Sequence, residues 1–171
     1  MGNIDDTSYE SIPDWQIPIT RRGERQSIHA GEELYKLIKG ETLFTYCSPY
    51  KRTLETWDII KEHIETKQDV KLLGTKQEPR IVEQQFGNFQ NPKKVRTAKA
   101  ERRTYGRFFF RFPNGEAGLD VYNRVSSFLA TLGRDMQGLD QNKVPMENLN
   151  VLIVTHGLTL RLLLMRYFQL R

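Results

Sequence analysis

The 171-residue sequence predicts an α/β fold with a mostly parallel sheet, from three observations. Short apolar runs of strand character occur at Leu43 to Cys47, Val70 to Leu73 and Val151 to Val154. Segments with helical spacing of apolar residues alternate with them, which is the pattern of parallel strands joined by crossover helices. No internal repeat or linker divides the chain, and a chain of this length buries roughly 70% of its unfolded surface, so one core is expected.

Taken in order, Gly2 to Ile19 is rich in Asp, Ser and Pro and reads as an irregular loop held by Trp15 and Ile17. Thr20 is placed to cap a helix running through Lys39, with Ile28, Leu34, Leu37 and Ile38 as its apolar face and Gly40 as its stop. His29 lies on that helix as a surface or boundary residue. The strand Leu43 to Cys47 leads through Ser48-Pro49 into a helix from Tyr50 to about Glu65, with His63 in its last turn, where a cation suits the helix dipole. After Val70 to Leu73, the segment Glu78 to Pro92 reads as loop. Lys93 to Tyr105 has helical composition, PNGEAG is a turn, and Leu119 to Met136 is an amphipathic helix. Gly138 to Asn150 connects it to the strand Val151 to Val154, and Leu160 to Phe168 forms a last helix that is apolar on nearly every side.

Composition excludes several function classes. Cys47 is the only cysteine, so there is no internal disulfide and no cysteine metal cluster, and a cytoplasmic location is expected. Cys47 itself reads as core packing. No secretory leader opens the sequence and no apolar run approaches the roughly 20 residues of a membrane helix, so no membrane partner is expected. Met1-Gly2 resembles the start of an acylation signal, but Asp6 stands where that signal wants Ser or Thr, so myristoylation is not expected. The net charge of +5 is local: Lys93 to Arg111 holds eight Lys or Arg and one Glu. With its aromatics, that stretch has the composition of a nucleic-acid surface. Phe108 to Phe112 also fit an apolar anchor, and nucleic acid is the weaker reading.

Two strand-to-helix junctions carry the chemistry. Ligands of open α/β sheets gather at the carboxyl ends of strands, where helix N-termini offer unpaired N–H groups. In YCSPYKRT, Ser48 can cap, Pro49 suits the first helical position, and Arg52 lies near the mouth with a planar fork for phosphate oxygens. In VTHG, His156 leaves the strand end and Gly157 lets the backbone turn closely. A cationic or hydrogen-bonding His156 beside Arg52 would make half a phosphate pocket. Singly, each residue is equally well read as a surface arginine or a satisfied core histidine. Glu83, in the loop IVEQQFGNFQ, could act as a general acid if its surroundings favour the protonated form.

These blocks, together with GNIDD, IPDWQIPIT, GRFFFRFPNGE and DVYNRVSSF, resemble the histidine phosphatase superfamily over nearly the whole chain. They are most similar to its phosphoglycerate-mutase-like and broad-range acid phosphatase branch. The resemblance implies the three-layer phosphoglycerate-mutase-like fold and phosphoryl transfer through a phosphohistidine, without a cofactor or metal, on a small phosphorylated substrate. It implies Arg52 and His156 as the second Arg and second His of the site, Glu83 as the proton donor, and Asn3 as a phosphate-orienting residue. Gln85 stands where many relatives have an acid, and Ala117 where Ser is common.

The family's first strand and its Arg-His-Gly nucleophile motif are expected upstream of Gly2-Asn3, and relatives continue past Arg171. The chain is therefore expected to be one domain, 1–171, clipped at both ends and less stable for it. The competing reading is a catalytically silent module that binds phosphorylated ligands. Residue types alone do not separate mutase from phosphatase, or fix the substrate or the oligomeric state.

Overall fold

The computed structural model describes residues 11–87, 92–141 and 146–170; Asn3 lies outside them. Among the described residues, five α-helices and three strands follow in the order α1 (Arg21–Ile38), β1 (Thr42–Cys47), α2 (Lys51–Glu65), β2 (Lys71–Gln77), α3 (Pro92–Tyr105), α4 (Gly118–Gln141), β3 (Leu149–Val154) and α5 (Gly157–Tyr167). The sheet is wholly parallel in the order β2-β1-β3. The expected α/β class and parallel sheet are what the chain adopts.

Alternation along the strands makes three layers. Leu43, Cys47 and Val154 face one side, where Ile38 of α1 and Trp57, Ile60 and Ile64 of α2 complete a core. Tyr46 faces the other side, against Val121, Val125 and Phe128 of α4 and Leu162 and Leu163 of α5. Positions 121, 125, 128 and 132 of α4 fall on one helical stripe, as their spacing requires.

Several boundaries move for identifiable reasons. Thr20 does cap α1, its side chain accepting the Gly23 N–H at 3.0 Å, but Ile28 and Leu37 are exposed. The buried stripe is Ser27, Gly31, Leu34 and Ile38, because small residues let α1 approach α2. A Cβ on Gly31 would lie 3.2 Å from that of His63, so His63 packs as well as ending its helix. Ile17 is buried in the N-terminal loop, whereas Trp15 is 54% exposed. β2 runs to Gln77, past the expected Leu73: as an edge strand it carries exposed polar residues that leave no apolar signal.

Within the basic segment, Arg96, Lys99, Arg103 and Arg107 are solvent-exposed, while the Arg102 guanidinium lies 5.4 Å from the Phe112 ring centroid. Phe112 is buried and Phe108 packs against the α4 core, so the aromatic run does serve as an anchor. Phe109 is the exception, being exposed.

Candidate phosphoryl-transfer site

Parallel register brings Cys47, Gln77 and Val154 side by side at one edge of the sheet. The ladder continues one step further, with the Ser48 N–H donating to the Val154 carbonyl and the Glu78 N–H to the Cys47 carbonyl, each at 2.9 Å. Both junctions singled out in the sequence therefore open on the same edge.

The first junction departs from expectation in one respect. α2 begins at Lys51, with Tyr50 in the cap position and no side-chain cap, so Pro49 is not its first residue. Ser48 does not serve as that cap. Its hydroxyl lies 2.8 Å from His156 Nε2, and both groups are buried. The imidazole offers a stronger partner than the 3.5 Å contact with the Tyr50 N–H.

His156 occupies the cap position of α5, which starts three residues before the expected Leu160. Burial, then the cations Arg52 and Arg124, lower the His156 pKa to about 3, so the ring is neutral and not cationic. The unfolded chain thus binds a proton on this residue between its ordinary value and about pH 3, while the folded chain does not. Stability is then highest above pH 6.5 and falls as pH drops toward 3. The expected loss is about 1.4 kcal/mol per pH unit within that window. Urea titrations at pH 6 and pH 4, both inside the window, should show close to this slope, and His156→Asn should flatten it.

Arg52 is the second residue of α2. Its Nη1 donates to the Asp14 carbonyl at 2.7 Å and to Asp14 Oδ1 at 3.0 Å, and its Nη2 to Oδ2 at 3.4 Å. The guanidinium carbon sits 4.9 Å from the centroid of the Tyr50 ring, and that ring meets His156 edge-on at 5.0 Å. The Tyr50 ring thus contacts both Arg52 and His156.

Glu83 reaches the same place along another path. After the short turn Pro79–Ile81, the loop crosses the strand ends, held by Thr155 Oγ1 donating to the Ile81 carbonyl at 2.6 Å and Thr159 Oγ1 to the Val82 carbonyl at 2.7 Å. The Glu83 carboxylate then accepts the Leu158 and Thr159 N–H groups, each at 3.3 Å, and its own neighbour's Gln84 N–H at 3.0 Å. It sits on the N-terminus of α5, one helical turn from His156, where a carboxylate complements the helix dipole.

The loop is clamped by residues to which sequence reasoning gave no role. Arg124 Nε donates to Glu116 Oε1 at 3.0 Å, and its terminal nitrogens to the Arg80 and Glu83 carbonyls at 2.6 and 3.1 Å. Glu116 Oε2 accepts the Gln85 N–H at 3.0 Å. Their blocks, PNGE and YNRV, carried the family resemblance; the eight-residue separation alone points to no pairing, because Glu116 precedes the helix. Gly87 has φ +82, and a Cβ there would collide with the Pro113 carbonyl oxygen. Gly87→Ala should cost about 3 kcal/mol and loosen the Glu83 loop, seen as a lower urea midpoint and faster amide exchange at Gln84 and Gln85.

A parallel α/β/α sandwich with an arginine, a histidine and a carboxylate at one carboxyl edge belongs to the class of proteins built to hold anions there. The chain is a member of the histidine phosphatase superfamily, branch 1, whose family model matches residues 12–171. The phosphoglycerate mutase-like protein AT74H of Arabidopsis thaliana is 40% identical over 98% of this chain and 62% of its own length. The broad-range acid phosphatase DET1 of Saccharomyces cerevisiae is 47% identical over 55% of this chain and 27% of its own length. The chain thus spans less than two thirds of these relatives. Among solved structures, a mycobacterial glucosyl-3-phosphoglycerate phosphatase with inorganic phosphate superposes with a TM-score of 0.66 at 19% identity, over 95% of this chain and 74% of that one. The α-ribazole phosphatase of Shigella flexneri gives 0.57 at 21% identity, over 88% and 67%. At such identities these two show the shared fold. No described helix is long and apolar enough to cross a membrane.

Proposed function

We propose that the intact parent of this chain transfers a phosphoryl group from a small phosphomonoester, through a phosphohistidine, to water or to a phosphoglycerate-like acceptor. The observation that carries this reading is the convergence of Arg52, His156 and Glu83 at one edge of the sheet. Arg52 and His156 seat the phosphoryl oxygens, with Asn3 as a further contact, and stabilise the charge that builds up on them in transfer. The family's nucleophilic histidine, supplied from outside these residues, attacks phosphorus as the ester P–O bond breaks. Seating the negatively charged ester beside Glu83 opposes a second negative charge there and offsets the N–H groups that favour the carboxylate. The carboxyl thus takes up a proton with the ester and gives it to the leaving oxygen. Water then attacks phosphorus, the P–N bond breaks, and Glu83 recovers a proton.

The reading needs neither metal nor cofactor and places the enzyme in the cytoplasm, where a lone reduced cysteine is at home. A chain extended upstream through its Arg-His-Gly should take up acid-labile label from a radiolabelled phosphomonoester. Failure to label would refute the phosphohistidine step.

In a second reading the parent carries no Arg-His-Gly of its own. In that case the edge is a silent phosphate-binding module. Transcript sequence upstream of Met1 without an in-frame Arg-His-Gly would favour it.

A further inference from the structure

A short buried contact at the site belongs to a residue with no role in the scheme above. Ser48 is wholly buried and its hydroxyl lies 2.8 Å from His156 Nε2. Its backbone is held on both sides: the N–H donates to the Val154 carbonyl at 2.9 Å, and the carbonyl lies 2.9 Å from the Thr53 hydroxyl, whose one hydrogen it shares with the Tyr50 carbonyl at 2.7 Å. The hydroxyl therefore has little freedom to follow the imidazole elsewhere.

The direction of this bond follows from counting donors. A serine hydroxyl has one hydrogen to give. Among the described residues its other contact is the Tyr50 N–H at 3.5 Å, which is itself a donor. The Ser48 hydrogen is thus left for Nε2, and a ring nitrogen that accepts carries no proton. The proton of the neutral ring then resides on Nδ1.

We infer that Ser48 is a positioning residue that locks His156 as the neutral Nδ1–H tautomer, so that any anion this ring contacts is met by a hydrogen-bond donor at Nδ1. The second half of this statement rests on the proposed phosphate seat; the first does not. With Nε2 committed to Ser48, the ring has a single nitrogen left for ligand. Arg52 and Arg124 oppose a third positive charge beside them, and a fixed neutral donor avoids it. The oppositely protonated tautomer would present a lone pair to phosphate oxygens, which repels them.

Imidazole nitrogen NMR on the histidine-labelled chain reads this directly, with His156 assigned by the loss of its signals in His156→Asn. The expected wild-type spectrum at neutral pH shows His156 as a single tautomer, protonated at Nδ1 and bare at Nε2. Ser48→Ala should yield a mixture of tautomers. Ser48→Thr, which keeps the hydroxyl, should restore the single form, and Ser48→Cys, a weaker donor, should give an intermediate mixture. The Trp57 indole N–H, bonded to Thr75 at 2.9 Å, reports that each variant is folded. A wild-type ring protonated at Nε2, or a folded Ser48→Ala chain that keeps the pure Nδ1–H form, would overturn the assignment. Added inorganic phosphate should shift the Nδ1–H signal. An unmoved signal with the expected tautomer would support Ser48's role while refuting the phosphate seat.

Discussion

Replacing Arg52 with Ala is expected to weaken binding of inorganic phosphate about 10–100-fold, from the loss of charge-assisted hydrogen bonds of about 1.5–3 kcal/mol. In the upstream-extended parent the rate constant should fall further, by about 10³, because the charge on the transferring group exceeds that on the bound ester. Arg52→Lys should rescue little. A lysine keeps the charge but lacks the planar fork, which here must serve Asp14 on one edge while presenting the other to ligand. The effect on folding should be small by comparison. The Arg52–Asp14 pair is partly exposed, with side chains at 23% and 20%, so its contribution is about 1 kcal/mol or less. Isothermal titration with phosphate and steady-state kinetics, compared with the urea midpoint, separate the two effects.

The second large effect is expected for Glu83→Gln in the extended parent. The amide oxygen can stand in for Oε1, which accepts the Thr159 and Gln84 N–H groups, but the amide NH2 then faces the Leu158 N–H that Oε2 accepted. α5 should therefore keep part of its cap and lose about 1–2 kcal/mol. What the amide lacks is a transferable proton. For alkyl phosphates, whose leaving oxygen needs one, kcat should fall about 10²–10⁴-fold. For an aryl phosphate with an acidic phenol the same variant should be close to wild type. Equal losses on both substrates would mean that Glu83 acts only by holding the loop on α5.

The sheet was legible because apolar runs of strand length punctuated by helical spacing have few alternative packings, and β1 and β3 were legible almost to the residue. β2 was read short because an edge strand can be polar. The start of α5 was misplaced because its cap is Glu83, 75 positions away in sequence, and no local pattern announces a cap that arrives from another loop. Arg52 and His156 were recognisable as a pair because each follows a strand, and parallel strands bring such positions to one edge. Ser48 reads in the sequence only as a helix cap, because capping is a local rule, whereas its contact with His156 spans 108 positions. Asp14, Tyr50, Glu116 and Arg124 each reach the site through a contact with a distant segment, to Arg52, His156, Gln85 and Glu83 in turn, so local spacing carries no signal of those roles.

The central claim is that Arg52 and His156 grip the same phosphoryl group. A crystal structure of the chain soaked with inorganic phosphate tests it most directly. The anion should lie at the carboxyl edge, with oxygens about 3 Å from both the Arg52 guanidinium and the His156 ring. A phosphate seated elsewhere, with Arg52 still closed on Asp14 and His156 contacting only Ser48 and Tyr50, would contradict it.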